Sequence, residues 1–397
     1  MVKKILVITP RFPLPATGAC EQDRLAGLLQ LKRLGYDLRV IAKVFDFQDK
    51  NLIQELGRVS GIKIDLLPCE FRSRSLLDRF RQIFWPPYWD GAAYEYATKS
   101  TNGTVDNIVR EWLPGLVWFD YTYLWPLYGI FKKRHIPIVT RSINFEPQHF
   151  LQEDGHSFLN ILKVLPKYLS EFLVARMSSL ILSITPKERL IYERLGSKRA
   201  FNLPLRGLLQ ILANDHILTK KHSVLNIYYS PSNFNVHHNL RALDFVLDEI
   251  VPELDKLMQN RYKVFITGSK MPSDRRDKCV GAVMATGYIE KYDEFLSDMD
   301  VALAPSLSGA GMQQKVFEPI ARGIATVTHP RAIAGYPFIS GTDCLFAESG
   351  TDYAQAIAKL ADLNYRKRIA KAGSSLARTL FSGEVSDRFL RDTLDSL

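Results

Sequence analysis

Short apolar runs alternate with amphipathic stretches along the whole chain. In the first half, Ile5–Ile8, Leu38–Ala42, Leu116–Phe119, Ile136–Thr140 and Leu180–Ile184 are nearly unbroken apolar runs. Helical spacing appears over Arg24–Leu34, which Gly35 is placed to stop, in a stretch ending at Arg134, and over Ser157–Met177. The pattern then restarts. Leu225–Tyr229, Tyr262–Thr267, Met284–Gly287, Val301–Ala304, Ile324–Val327 and Cys344–Phe346 read as strands. Asn239–Leu257, with Asn239 as cap, Tyr292–Met299, Gln313–Arg322, Asp352–Leu363, Tyr365–Leu380 and Glu384–Leu394 read as helices. Apolar strands without polar alternation, separated by helices, predict parallel sheets covered on both faces. The expected fold is α/β: two Rossmann-like doubly wound domains facing a central cleft. Strand periodicity fails between Leu203 and Lys221, which divides the chain into domains 1–205 and 206–380. Residues 381–397 form a last helix expected to pack back on the first domain. Ligands of such sheets gather at the carboxyl ends of the strands.

Composition narrows the class. Of 397 residues, 46% are hydrophobic and 24% charged, which excludes a disordered or fibrous chain. No apolar run approaches the roughly 20 residues that span a bilayer. The first apolar run stops at Thr9-Pro10 with no cleavage site, so it reads as a strand rather than a signal peptide. Cys20, Cys69, Cys279 and Cys344 are widely spaced, which predicts reduced thiols, no zinc site and a cytoplasmic chain. The net charge of +10 calls for an anionic partner: acidic lipid, nucleic acid or a phosphorylated substrate.

The stretch Val301–Thr328 describes a site. It reads as strand, glycine-bearing loop, helix and strand, and Gly323 ends the helix. Lys315 and Glu318, three residues apart, share one helix face near its first turn. A helix N-terminus offers free N–H groups to an anion. A lysine there suits a diphosphate, and a glutamate one turn on accepts hydrogen bonds from sugar or ribose hydroxyls.

Gly309-Ala310-Gly311 through Val327, with Lys315, Glu318 and Gly323 inside it, resembles the GxGxxxKxLEAxAxGxPVV segment of retaining glycosyltransferases of the GT-B type, especially family 4. Thr286-Gly287-Tyr288-Ile289 resembles that family's turn against the nucleotide base. Asp300–Pro305 resembles its ADVxVxPS strand, Thr9–Gly18 its loop after the first strand, and Thr140–Glu146 its RxHNxE segment. Each motif alone is weak; their order and spacing make the set strong. Two positions depart from the pattern. Ala310 stands where the first of two glutamates is common, and Ile143 where the family has a histidine. Ser230-Pro231-Ser232-Asn233 replaces the usual basic clamp on the diphosphate.

The resemblance implies a metal-independent, retaining transfer of sugar from a nucleotide-diphosphate donor to a saccharide or lipid-linked acceptor in glycan biosynthesis. No cofactor is required. Lys315 would stabilise the leaving diphosphate, and Asn144 and Glu146 would meet the acceptor. Gly18, Ser232, Gly287, Tyr288, Ile289, Gly309, Ala310, Gly311, Met312 and Glu318 would line the donor. The leaving phosphate takes the acceptor proton, so no dedicated base is needed. The alternative is a GT-B-shaped nucleotide-sugar or glycan-binding subunit without turnover, and a nucleotide-sugar epimerase is a second rival.

Other features carry less. The loop after the first strand has no GxGxxG, which disfavours a nicotinamide dehydrogenase, and the chain lacks a GxxxxGK[ST] phosphate loop. Asp298-Met299-Asp300 spells DxD, but the two residues fall on different elements. His237-His238 lacks a third ligand at metal spacing. In Phe71–Trp89, Arg72, Arg74, Arg79 and Arg81 alternate with aromatics including Trp85. That composition suits the anionic inner face of a membrane or packing on the chain's own domain. No nucleic-acid module is recognisable, so nucleic acid is not an expected partner.

Overall fold

The computed structural model describes residues 3–16, 18–68, 80, 84, 89–214, 217, 220–307 and 312–397. The chain divides into two compact units, Met1–Gly207 with Ser386–Leu397, and Leu208–Val385.

The first unit is built on seven strands: β1 (Lys4–Arg11), β2 (Asp37–Val44), β3 (Lys63–Pro68), β4 (Leu116–Phe119), β5 (Ile138–Ser142), β6 (Leu180–Ser183) and β7 (Ala200–Asn202). Their order is β3-β2-β1-β4-β5-β6-β7, and every pairing is parallel. The unbroken apolar runs follow from burial on both faces. Ile5 and Val7 of β1 enter one core, and Leu6 and Ile8 enter the other. The order of strands reverses direction between β1 and β4, so the loops leaving these two strands diverge and open a crevice at the carboxyl edge.

The second unit repeats the plan with β8 (Leu225–Tyr229), β9 (Tyr262–Thr267), β10 (Val283–Gly287), β11 (Val301–Ala304), β12 (Ala325–Thr328) and β13 (Leu345–Phe346). The order is β10-β9-β8-β11-β12-β13, again all parallel. Its switch point lies between β8 and β11. Val301 and Leu303 pack into one core, and Ala302 into the other.

The C-terminal helix Gly383–Asp395 contributes Leu390 and Leu394 to a core of the first unit. Gln30 Nε2 donates to Ser386 Oγ at 2.8 Å and to Asp387 Oδ1 at 2.9 Å, and the Arg33 guanidinium pairs with Asp387 at 2.7 Å.

One expected element differs. Asn239 is not a cap: the helix begins at His237 with Val236 before it, and Asn239 is buried with Nδ2 donating to the Asn233 carbonyl at 2.8 Å. The helix is also interrupted by a π turn at Val246–Ile250, just before Pro252. Proline has no N–H to donate, so the hydrogen-bond register shifts there.

Candidate active site

In the second unit the site assembles at the carboxyl ends of β8, β9, β10 and β11. The helix Gln314–Ala321 follows β11 and carries Lys315 and Glu318. Among the described residues no side chain caps its N-terminus, which leaves its first N–H groups to an external acceptor. Val316, Phe317 and Ile320 anchor the opposite face in the core. The preceding loop is fastened from both sides: Ser306 Oγ donates to Gln313 Oε1, Arg331 Nη1 to the Leu307 carbonyl at 3.2 Å, and Tyr336 Oη to the Gln313 carbonyl at 3.2 Å. Met312 is buried at the foot of that loop. Gly309, Ala310 and Gly311 lie outside the described residues, as do Arg72, Arg74, Arg79, Arg81 and Trp85.

Lys315 has no carboxylate partner among the described residues. Burial lowers its pKa to about 8. His238, at the start of the helix that follows β8, is close enough to feel it: burial, then the Lys315 charge, then His237, hold the imidazole below its ordinary value. Glu318 is pushed up, by burial first and by Asp293, against the pull of Arg322. Arg322 is fully buried, with Nη1 2.7 Å from Asp293 and 3.9 Å from Glu318 Oε1, while its Nε and Nη2 have no hydrogen-bond partner among the described residues. Tyr292 Oη and Thr267 Oγ1 both donate to Ser230 Oγ, at 3.1 and 2.7 Å. Burial raises the Tyr292 hydroxyl, and the Glu318 carboxylate adds to it. Arg322, Tyr292 and His238 were not identified from the sequence. Arg322 falls in a helix whose apolar spacing hides a buried guanidinium, Tyr292 is a single polar residue outside any motif, and His238 stands in the sequence only as half of a His237-His238 pair without a third metal ligand.

The remaining donor-side residues lie on neighbouring turns. Ser232 accepts from the Ser269 amide at 3.3 Å through its carbonyl, leaving its hydroxyl free of any bond among the described residues. Gly268 has φ +118, and a Cβ on it would stand 2.6 Å from the Pro231 carbonyl, so only glycine fits between β9 and the 230–233 turn. Gly287 has φ +71 and accepts from the Gly268 amide at 2.9 Å. That turn presents Tyr288, 77% exposed, with Ile289 behind it. Asp300 is committed to structure: it receives Arg366 Nη2 at 3.0 Å, the Asn226 amide at 2.9 Å and His222 Nδ1 at 2.9 Å. Asp298 instead pairs with Lys220 at 3.0 Å.

In the first unit the corresponding edge is held by buried charges. Asp23 pairs with Arg141 Nη2 at 3.2 Å and Arg206 Nη2 at 2.8 Å, all three within the protein interior. Burial alone would raise the Asp23 carboxyl, but the two guanidiniums outweigh it and hold it well below the usual range. Asp120, at the end of β4, accepts from Trp118 Nε1 at 2.7 Å and stands 3.6 Å from Arg206. Arg141 also donates to the carbonyls of Leu203 and Pro204, which ties β5 to the chain after β7. Its role is therefore to position the segment that follows it. That segment carries Ile143, 3% exposed, then Asn144, whose side-chain amide makes no hydrogen bond among the described residues, then Glu146. Glu146 Oε1 accepts from Tyr121 Oη at 2.6 Å, and Lys167 Nζ lies 3.9 Å from Oε2. Behind it Glu171, fully buried, accepts from Thr122 Oγ1 and Tyr192 Oη, each at 2.8 Å. Gly18 sits in extended conformation (φ −108) at the start of helix Ala19–Arg33, which has no side-chain cap.

Residues 231–362, about one third of the chain, match the family Glycosyl transferases group 1. Comparison with curated proteins gave no significant match. Among solved structures the chain is similar to HepE from Anabaena in complex with UDP and glucose, at 14% identity and a TM-score of 0.63, covering 100% of each chain. It is similar to sucrose-phosphate synthase from Thermosynechococcus elongatus, at 13% identity and a TM-score of 0.66, covering 99% of this chain and 98% of that one. It is also similar to the E. coli trehalose-6-phosphate protein bound with UDP-2-fluoro glucose, at 14% identity and a TM-score of 0.62, covering 100% and 99%. Likeness at this identity shows the fold alone. Residues 231–362, the segment that bears Lys315 and Glu318, match the glycosyl transferases group 1 family, and the chain has the GT-B fold of these structures.

Proposed function

We propose that the protein transfers a sugar from a nucleotide-diphosphate donor to a saccharide or lipid-linked acceptor, with retention of configuration and without a metal. The observation that carries this reading is Lys315: a desolvated cation on the first turn of a helix, with neither a carboxylate partner nor a side-chain cap on that helix among the described residues. A diphosphate leaving group gains negative charge as the glycosidic bond to it breaks. A fixed ammonium and helix N–H groups stabilise that charge with little reorganisation, which is the work a divalent cation does elsewhere.

Glu318, one turn deeper, is the acceptor for ribose hydroxyls. Its carboxylate is half freed from Arg322, at 3.9 Å, and a pair of donor hydroxyls would complete its bonding. Ser232, Gly287, Tyr288, Ile289, Met312 and the segment 309–311 complete the donor pocket in this reading. Asn144 and Glu146 receive the acceptor in the first unit. UDP and UDP-sugar complexes among structures of similar fold support a uridine nucleotide as the first donor to test. The net charge of +10 supports attraction to an anionic membrane face, and the four widely spaced cysteines support a reducing, cytoplasmic setting.

The test is product formation from labelled nucleotide sugars. Lys315→Ala in a folded protein should lower transfer by roughly 10²–10³-fold, the usual loss for one strong electrostatic contact in a transition state. Near-normal turnover would overturn the assignment. Nucleotide binding with no product from any donor and acceptor pair would favour a binding subunit, the reading suggested by Ala310 and Ile143.

A further inference from the structure

The helix Phe158–Met177 has 20 residues, so it is about 30 Å long. It leads into β6, and its Val174 and Ala175 share a core with Ile138 of β5 and Ile181 of β6, strands of five and four residues; such strands span only about 13–17 Å. Its end must reach the amino edge of the sheet, where β6 begins. Its first turns therefore overhang the carboxyl edge, the edge that holds Asn144 and Glu146. Burial agrees: its buried residues are Pro166, Ser170, Glu171, Val174 and Ala175, none of them in the first two turns.

The overhanging part is apolar. Phe158, Leu159, Ile161, Leu162 and Leu165 are between 52% and 75% exposed. Phe158, Ile161, Leu162 and Leu165 fall at i, i+3, i+4 and i+7, one continuous face, and Leu159 widens it. The turn that starts the helix is fixed. Ser157 Oγ accepts from the Asn160 amide at 3.3 Å, and Asn160 Nδ2 donates to the carbonyls of Asp154 and Gly155 at 2.8 and 3.2 Å. A tethered, protruding face of five large apolar side chains is a docking surface.

Charge selects the occupant. Lys163, four residues after Leu159, borders the face and is exposed. No Asp or Glu occurs from Gly155 to Ser170, in a chain of net charge +10. No described helix is long and apolar enough to cross a membrane. We propose that the first turns of Phe158–Met177 insert into the interfacial region of an anionic lipid bilayer. Apolar residues dip below the headgroups and Lys163 reaches the phosphates. This holds whether or not the chain transfers sugar.

The test is co-sedimentation of the full chain, without nucleotide, with vesicles of phosphatidylcholine alone and of an equimolar mixture with phosphatidylglycerol. The wild type should pellet with the mixed vesicles. The triple variant Phe158→Ser, Leu162→Ser, Leu165→Ser should partition about tenfold more weakly or worse, with unchanged melting and nucleotide binding. Lys163→Glu should weaken binding to the mixed vesicles at low salt and lose that effect at high salt. The inference is overturned if the wild type stays in the supernatant, or if the triple variant pellets equally. A wild type that dimerises in solution through this face without binding vesicles, and a monomeric triple variant, would assign the face to a second copy instead.

Discussion

Lys315 and Glu318 stand three residues apart on one helix face and do not pair. Burial drives the ammonium down to about 8 and the carboxyl upward, and among the described residues Glu318 keeps only Arg322, at 3.9 Å. Two opposite charges at salt-bridge spacing, both desolvated and neither satisfied by the other, are arranged for something that arrives. The sign of the consequence for stability is definite. The folded chain holds the Lys315 proton less tightly than the unfolded chain, so burial costs most below pH 8 and stability recovers as pH rises from about 8 towards 10.5. Lys315→Met should therefore raise the melting temperature of the nucleotide-free protein at pH 7, by roughly 2–4 °C for each kcal/mol relieved, while weakening nucleotide binding. Scanning calorimetry on the two proteins checks it; an unchanged or lower melting temperature contradicts the desolvation.

The same titration governs the ligand. A diphosphate needs the ammonium form, so nucleoside diphosphate affinity should fall as pH rises through about 8 in the wild type. Lys315→Arg keeps its charge throughout this range and should flatten the profile even where it binds less tightly. Calorimetric affinities between pH 6.5 and 9.5 are the measurement (the range brackets the Lys315 pKa of about 8).

Glu171 gives an independent pH signature in the first unit. Burial, then the neighbouring Glu146 charge, raise its pKa to about 8, against the bonds from Tyr192 and Thr122. The folded state keeps this proton where the unfolded chain releases it, so stability falls as pH climbs from about 4.5 to 8. Glu171→Gln preserves shape and most hydrogen bonds and removes the titration. Relative to wild type it should gain about 2–4 kcal/mol between pH 5 and pH 8. Denaturant melts at the two pH values check the difference.

Gly27, inside the helix Ala19–Arg33, makes room for a buried guanidinium of the first unit. A Cβ at this position would sit 1.8 Å from Arg206 Nη1, and Arg206 is the buried partner of Asp23. Displacing the guanidinium would leave that carboxylate half compensated. Gly27→Ala should cost about 3–5 kcal/mol, the range for breaking a buried ion pair, although alanine is the better helix former by about 1 kcal/mol. Gly103→Ala, in a helix where a Cβ meets nothing within 4 Å, is the control and should be neutral or stabilising.

The sheets were legible because strands buried on both faces are mainly apolar: β4 and β11 are apolar throughout, β8 and β9 are interrupted by Asn226 and Lys263, and all four begin and end with the expected runs. The outer strands of the first sheet were not. β3 carries Lys63 and Asp65, the latter paired with Arg39 at 2.7 Å, and its half-exposed pattern resembles a loop. β7 is three residues long, too short for periodicity. The helix Pro186–Arg194 went unread although Thr185 and Glu188 form a capping box, a signal present in the sequence. In the site, Lys315 and Glu318 were readable from spacing. The Asp23, Arg141, Arg206 and Asp120 cluster was not, because its members are far apart in sequence and only the fold makes them neighbours.

The central claim is that the helix Gln314–Ala321 receives the diphosphate of a nucleotide-linked sugar. Its most direct test is calorimetric titration of UDP into the wild type, Lys315→Ala and Glu318→Ala at pH 7. The account predicts binding by the wild type and an affinity loss of roughly 10-fold or more in each variant, as expected when a hydrogen bond to a charged group is removed. Equal affinity in all three folded proteins would contradict it.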